Sequence, residues 1–162
     1  MITHTEIQGD LIQLALEGQF DVIAHGCNCF CTMKSGIAPQ MANTFGCDKY
    51  DLEYYTQKGN INKLGQIEHR NFYVNNGKIQ SNFEYEDINL IVVNAYTQFM
   101  YGTNHKYGVS KPLDYEALTL CLRKMNTIFK GKHIGLPLIG CGLAGGIWDI
   151  SNLPETNQAW SL

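Results

Sequence analysis

The sequence predicts one α/β domain built around a largely parallel sheet, and two observations carry this prediction. First, short apolar runs typical of buried strands alternate with segments of helical periodicity. The clearest strand is residues 88–96 (INLIVVNAY), and the clearest helix is residues 115–129, where apolar residues recur at helical spacing. Second, two of the strands lead directly into loops that carry glycine. A chain of 162 residues without repeats or linkers can bury a single hydrophobic core.

The other elements follow from local signals. An apolar strand is predicted at residues 20–25, just before a cysteine-rich stretch. Ser35 is predicted to cap a helix that continues through Phe45 and ends at Gly46. The remaining elements are a short helix at 51–57, a strand at 64–73, a turn at 75–78 (NNGK) and a final strand at 133–137.

The composition excludes several classes of function. The formal net charge is −3 and 17% of the residues are charged, as in ordinary globular proteins. Lysine and arginine form no cluster, so nucleic acid is not expected as a partner. The first ten residues lack the basic and apolar regions of a secretory signal, and no apolar run approaches the roughly 20 residues of a membrane span. We therefore expect a cytoplasmic protein with no membrane partner.

The cysteines are expected as reduced thiols, because the chain begins without a secretory signal. Three of the six lie within residues 25–31 (HGCNCFC). Structural zinc sites favour C-x₂₋₄-C pairs with a second pair further on, whereas this stretch reads C-x-C-x-C and no second pair follows. No second histidine is evidently placed to activate a thiol as a nucleophile. We therefore predict no metal, and we predict that the three thiols of this stretch fill space behind a loop. The six are Cys27, Cys29, Cys31, Cys47, Cys121 and Cys141.

Two glycine-bearing loops follow strands and form the candidate ligand site. The first is residues 25–38 (HGCNCFCTMKSGIA), and the second is residues 136–148 (LPLIGCGLAGGIW). Ligands of open α/β sheets collect at the carboxyl ends of the strands. Glycine there lets backbone N–H groups approach phosphate oxygens without interference from a side chain. The pair of loops predicts a diphosphate or nucleotide ligand.

Four segments together resemble the macro domain family, whose members bind ADP-ribose. They are residues 9–12 (GDLI), the loop at 25–38, the strand end at 94–98 (NAYTQ) and residues 137–146, spread over roughly residues 5–150. Within the family, the HxCNC…SGIA and GCGLAGG forms are most similar to the ADP-ribose 1″-phosphate phosphatase branch, and to many phage and bacterial proteins. The resemblance implies a three-layer α/β/α sandwich with a mixed, largely parallel sheet over residues 1–150. ADP-ribose, or its 1″-phosphate, would lie across the strand ends.

The resemblance also implies roles for individual residues. Asp10 matches the aspartate that accepts a hydrogen bond from the adenine amino group, and Asn28 matches an asparagine that approaches the distal ribose. His25 matches the histidine to which the phosphatase branch assigns catalysis. Asp149 is one candidate for the acid at the leaving oxygen, and Lys111 is another. The implied ligand-contacting residues are Asp10, Leu11, Asn28, Ser35, Gly36, Ile37, Ala38, Tyr96, Gly140, Cys141, Gly142, Leu143, Ala144, Gly145 and Gly146.

Each of three assignments has a purely structural alternative. Asp10 follows a glycine, a position typical of a turn or a helix N-cap. His25 at a strand end could be a core histidine, and Asn28 could serve only to close its loop.

The sequence departs from the family pattern in two places. Ala144 stands where the branch that cleaves ADP-ribose from carboxylates has an aspartate, and Ile147 stands where phosphatase-type sequences often have one. The tail, residues 151–162, is short, polar and broken by Pro154, so the C-terminal helix is expected to be curtailed. We expect a monomer or a weak dimer. The predicted function is hydrolysis of ADP-ribose 1″-phosphate without a cofactor. The alternatives are a non-catalytic ADP-ribose reader and a hydrolase of acetylated or protein-linked ADP-ribose.

Overall fold

A mixed sheet lies at the centre of the computed structural model, which describes residues 9–52, 58–100 and 113–137. The strands of the described chain are β1 (Val22–Asn28), β2 (Ile67–Phe72), β3 (Val74–Asn75), β4 (Lys78–Ile79), β5 (Leu90–Gln98) and β6 (Ile134–Gly135). The α-helices are α1 (Leu11–Leu16), α2 (Ala38–Phe45) and α3 (Tyr115–Ile128). Short 3₁₀ helices span Cys47–Leu52, Ile61–Lys63 and Tyr85–Asp87.

The main sheet has the strand order β2-β5-β1-β6. Strand β1 runs parallel to β5 and to β6, whereas β2 is antiparallel to β5. The register places His25 of β1 opposite Asn94 of β5. Because parallel strands end at the same edge of a sheet, the carboxyl ends of β1, β5 and β6 lie side by side. This edge is where the sequence places both glycine-bearing loops.

Two apolar cores cover the two faces of the sheet. Side chains alternate along β1, so Ile23 points to one face while Val22 and Ala24 point to the other. The Ile23 face packs against α1 and α2, and the opposite face packs against α3. The buried members of the first core include Ile12, Ala15, Met41, Phe45 and Val92, and those of the second include Val93, Leu118, Leu122 and Met125. The predicted three-layer sandwich with a mixed, largely parallel sheet is confirmed.

The positions of the longer elements agree with the sequence prediction to within a few residues. The strand expected at 88–96 is β5, and the helix expected at 115–129 is α3. Strand β1 extends to Asn28, three residues beyond its predicted end. The prediction that Ser35 caps α2 is wrong, because the helix begins at Ala38 and no side chain caps it. Its C-terminus is as predicted: Gly46 adopts φ 70°, the left-handed conformation that commonly ends helices.

The predicted turn at 75–78 connects β3 and β4. Asn76 (φ 52°) and Gly77 (φ 74°) both have positive φ, as two-residue hairpin turns of type I′ require. The helix predicted at 51–57 overlaps the 3₁₀ helix Cys47–Leu52, and residues 53–57 lie outside the described chain. The predicted tail and its boundary at residue 150 lie outside it as well. A search of the described helices found none long and apolar enough to span a bilayer.

Candidate functional site

The site begins where β1 ends. The pairing of β1 with β5 shifts register between Cys27 and Asn28, and the chain then leaves the sheet as a loop over residues 29–37, here called the first loop. The backbone N–H of Cys29 donates to the carbonyls of Gln98 and Phe99, both at 3.1 Å. The first loop is therefore anchored to the carboxyl end of β5.

The side chain of Asn28 organises the start of the first loop. Its Oδ1 accepts hydrogen bonds from the N–H groups of Phe30 (2.9 Å) and Thr32 (3.2 Å), and its Nδ2 donates to the carbonyl of Thr32 at 3.1 Å. This network is expected if Asn28 serves to close its own loop. It uses one of the two Nδ2 hydrogens, so one N–H of the amide is not committed to these bonds. The contact of Asn28 with a distal ribose stays a prediction.

The exposed part of the first loop lies between Lys34 and Gly36. Gly36 has φ 62°, and a Cβ built there would meet no atom within 4 Å, so glycine is favoured by backbone conformation and not by crowding. Ile37 and Ala38 follow at the start of α2, half-buried. No side chain caps α2, but its first two positions offer no free N–H to an anion, because the Ala38 N–H donates to the Ser35 carbonyl and the proline that follows has none. The backbone of the exposed glycine loop is therefore the candidate anion-binding feature at this edge.

Five thiols are free and buried: Cys27, Cys29, Cys31, Cys47 and Cys121. Burial raises the pKa of Cys29 to about 11 and those of Cys47 and Cys121 to about 12, and it raises the pKa values of Cys27 and Cys31 as well. A protonated, buried thiol is a poor nucleophile. The prediction of reduced thiols is confirmed for these five, and Cys27, Cys29 and Cys31 pack together at the first loop as predicted. Within the described ranges, no three His, Cys, Asp or Glu side chains are grouped to hold a metal ion.

His25 is fully buried and lies below the first loop. Its Nε2 is 2.7 Å from Oδ1 of Asn94, whose Nδ2 donates to the Cys47 carbonyl at 2.9 Å. That second bond fixes the Asn94 amide with its oxygen towards the imidazole, so His25 must donate from Nε2. Burial lowers the pKa of His25 to about 4, and the ring is neutral at pH 7.

The second ring nitrogen of His25, Nδ1, is the acceptor in this neutral tautomer. It is buried and makes no hydrogen bond within the part of the chain that the structure describes. An imidazole without exposed surface does not touch a ligand in this conformation. These features match the core-histidine alternative, and the catalytic role stays a prediction.

Tyr96 also lies inside the protein. Its ring packs with Cys27, Cys29 and Cys31, and its hydroxyl donates to Oε1 of Glu68 at 3.3 Å. The side chain has no exposed surface, and its contact with the ligand stays a prediction. Tyr96 supports the first loop from below.

Asp10 is the N-cap of α1, as its structural alternative predicts. Its Oδ1 accepts a hydrogen bond from the Gln13 N–H at 3.0 Å, which leaves Oδ2 outside the cap. The carboxylate is exposed and lines one end of a groove of about 460 Å³ between α1 and α2, which Gln40 and Thr44 also line. Leu11, the first residue of α1, is half-buried. A ligand at this end could therefore reach the second carboxylate oxygen.

The remaining predicted site residues lie outside the described chain. These are Asp149, Lys111 and the second-loop residues from Gly140 to Gly146. Strand β6, which leads towards the second loop, pairs with β1 through Val22 and Ile134. The described structure thus brings together the first loop, the end of β5 and the start of α2.

Sequence reasoning missed two residues beside the site. Asn94 interrupts an apolar strand, and this alone could have indicated a buried amide with a polar partner. Gly59 follows the helix predicted at 51–57 and has no local signal of a site, yet it contacts the first loop: its N–H donates to the Cys29 carbonyl at 2.7 Å.

Comparisons with solved structures identify the fold. The macrodomain of Mycobacterium tuberculosis DarG superposes with a TM-score of 0.55 at 17% identity, over 91% of this chain and 82% of that one. Thermosipho africanus DarTG, solved in complex with ADP-ribose, gives a TM-score of 0.52 at 16% identity, over 88% of this chain and 34% of that one. The fold is that of a macrodomain.

Comparison of the sequence with known proteins shows the family. No protein-family model matches the chain. An uncharacterized 17.5 kDa protein from the tk-vs intergenic region of Enterobacteria phage T4 is 34% identical in an alignment of 148 positions, which covers 89% of this chain and 82% of the T4 protein. The chain belongs to the same family as this T4 protein.

Proposed function

We propose that this protein binds ADP-ribose across the carboxyl ends of β1 and β5. The observation that carries the proposal is the position of the first loop in a macrodomain fold: it leaves β1 at that edge and leads into the uncapped start of α2. A left-handed glycine in an exposed loop lets backbone N–H groups approach an anionic diphosphate. The solved DarTG complex supports the choice of ligand, because that protein shares the fold and holds ADP-ribose.

The proposed orientation assigns a part of the ligand to each described segment. Oδ2 of Asp10 accepts a hydrogen bond from the adenine amino group, while Oδ1 keeps its bond to α1. Backbone groups of residues 35–38 contact the diphosphate. The uncommitted N–H of Asn28 meets the distal ribose. The second loop, residues 139–146, is assigned contacts with the phosphates.

Hydrolysis of ADP-ribose 1″-phosphate is the second candidate, and the resemblance of residues 25–38 to the phosphatase branch favours it. His25 would act as nucleophile or base, and Asp149 as acid. The buried ring argues against both roles for His25, because a nucleophile or a base must reach its substrate. Its pKa of about 4 argues further against a base at neutral pH. Binding without rapid turnover is therefore the function that the geometry supports best.

Calorimetric titration with ADP-ribose tests the proposal, with a matched pair of glycine variants. Gly36→Ala adds a methyl group in the first loop, and Gly131→Ala adds one at an exposed turn of similar backbone conformation (φ 62° and 81°), with open space at both positions. We expect Gly36→Ala to weaken binding by about tenfold and Gly131→Ala to leave it unchanged. No heat with ADP-ribose, or equal affinities in the two variants, would overturn the proposal.

Phosphate release from ADP-ribose 1″-phosphate distinguishes the binder from the enzyme. We expect binding of this compound with little release of phosphate. Rapid release that disappears in His25→Gln would instead assign catalysis to His25. Rapid release that persists in His25→Gln would show hydrolysis by other residues.

A further inference from the structure

Gly59 packs directly against an aromatic residue of the first loop, Phe30. A Cβ at Gly59 would lie 2.6 Å from Cε1 of Phe30, 2.8 Å from Cζ and 3.1 Å from Cδ1. The first two distances are shorter than any real contact of a Cβ atom, so the Phe30 ring occupies the space that any other residue would need. Gly59 also has φ 79°, a left-handed conformation that favours glycine.

The first loop is held between this glycine and the end of β5. The carbonyl of Cys29 accepts from the Gly59 N–H at 2.7 Å, while the Cys29 N–H donates to β5 and to the residue that follows it. The Phe30 ring packs against Phe99, with centroids 5.4 Å apart and planes tilted by 60°. The Phe30 N–H in turn donates to Oδ1 of Asn28. A shift of the Phe30 ring must therefore move backbone that Asn28 orders.

We infer that Gly59 is a positioning residue for the ligand-binding loop, an inference that rests on the proposed function. Gly59 has no contact with ADP-ribose in this assignment. Its hydrogen atom in place of a side chain lets the Phe30 ring lie directly against Gly59. This contact and the hydrogen bond to Cys29 fix the position of the first loop relative to the edge of the sheet. The site thus depends on a third segment, besides the two glycine-bearing loops.

The test compares Gly59→Asn with Gly131→Asn. Asparagine tolerates left-handed backbone better than other residues with a side chain, so both variants keep a similar conformation (φ 79° and 81°), and only the first adds a Cβ against an aromatic ring. We expect ADP-ribose to bind about tenfold more weakly to Gly59→Asn and within about twofold of wild type to Gly131→Asn. Equal affinities in the two variants would overturn the inference.

Rescue separates positioning from general damage. Phe30→Leu in the Gly59→Asn background removes the two ring atoms nearest to the new Cβ, and we expect it to restore most of the affinity. Phe30→Ala alone removes the contact without adding an atom, and it should weaken binding even if Gly59→Asn fails to fold. Unchanged affinity in Phe30→Ala, or no rescue in the double variant, would contradict the inference.

A readout without ligand keeps the two proposals distinguishable. The amide ¹H–¹⁵N signals of Phe30 and Thr32 report the bonds to Asn28, and we expect Gly59→Asn to shift both while Gly131→Asn leaves them in place. If wild type fails to bind ADP-ribose, the proposed function is wrong. In that case unshifted signals in Gly59→Asn would also overturn the role of Gly59.

Discussion

His25 donates a 2.7 Å hydrogen bond from Nε2 to Oδ1 of Asn94, its neighbour across the parallel pair β1 and β5. Both side chains are fully buried, and the Cys47 carbonyl fixes the orientation of the Asn94 amide. The bond therefore selects the neutral Nε2–H tautomer of His25. A residue that the sequence places among catalytic candidates is, in the structure, a polar link between two core strands.

This link predicts a stability that depends on pH. Burial lowers the pKa of His25 from 6.5 to about 4, so between these values the unfolded chain binds a proton that the folded chain does not. The contribution of the neutral His25 to the free energy of unfolding is therefore complete above about pH 6.5. It is lost as the pH falls towards 4, by up to about 3 kcal/mol. Urea unfolding of wild type and His25→Gln at several pH values measures it.

A second histidine provides the control for this measurement. His69 is partly exposed, with its ring against Phe129, and its partial burial also lowers its pKa. We expect His69→Gln to keep most of the pH dependence and His25→Gln to remove most of it. Parallel pH profiles for wild type and His25→Gln would contradict the neutral, buried state of His25.

The Asn94 amide predicts a non-additive pair of substitutions. Asn94→Leu keeps the number and branching of the side-chain heavy atoms but removes the best acceptor of the His25 Nε2–H, which then has only the weakly accepting Cys27 Sγ at 3.4 Å. It also leaves the Cys47 carbonyl without its donor, and together these losses should destabilise the fold by about 2–5 kcal/mol. In a double-mutant cycle, adding His25→Leu removes one of these poorly paired groups. We expect the double variant to lose less stability than the two single variants lose together. Strict additivity in chemical denaturation would show that the two side chains do not interact.

Much of the fold follows from local sequence signals. The apolar run of β5, the periodicity of α3 and the Asn76-Gly77 turn each determine their own element, so the positions were predicted closely. The prediction of Ser35 as a cap failed because the chain instead makes a turn, in which the Ala38 N–H donates to the Ser35 carbonyl and Pro39 enters the first turn of α2. A cap signal in the sequence does not state where the helix begins.

The site was less predictable, because burial depends on tertiary packing. The sequence indicated that residues 25–38 leave a strand edge, but not that the rings of His25 and Tyr96 point into the protein. It offered loop closure by the Asn28 amide only as one of two alternatives, and it gave no sign that Gly59 packs on Phe30 across some thirty residues of chain. These contacts join distant segments, and no local pattern encodes them.

Two substitutions of Asp10 separate its cap from its proposed contact with adenine. Asparagine caps helices as well as aspartate does, so Asp10→Asn should keep the stability of the protein. It presents an amide N–H where Oδ2 would accept, and ADP-ribose affinity should fall by about tenfold or more. Asp10→Ala should show the same loss of affinity and a loss of stability of about 1 kcal/mol.

Glu17 provides the charge control for Asp10. It lies at the C-terminal end of α1 and lines the same groove, so Glu17→Gln removes an equal charge without touching the cap. Calorimetry should give Glu17→Gln the affinity of wild type. An Asp10→Asn variant that binds as tightly as Glu17→Gln would refute the adenine contact.

The hydrogen bonds of Asn28 predict how fast the buried thiols react. Cys29 and Cys31 lie on the loop that Asn28 orders, whereas Cys121 lies on α3. Asn28→Ala removes three bonds to Phe30 and Thr32, so the loop should open more often and expose its two thiols. In a Cys141→Ser background, labelling with a small alkylating reagent and peptide mass spectrometry should show Cys29 and Cys31 reacting about tenfold faster in Asn28→Ala. Labelling of Cys121 should not change, because α3 does not depend on this loop. Equal acceleration at all three cysteines would indicate global unfolding, and no acceleration would show that Asn28 does not hold the loop closed.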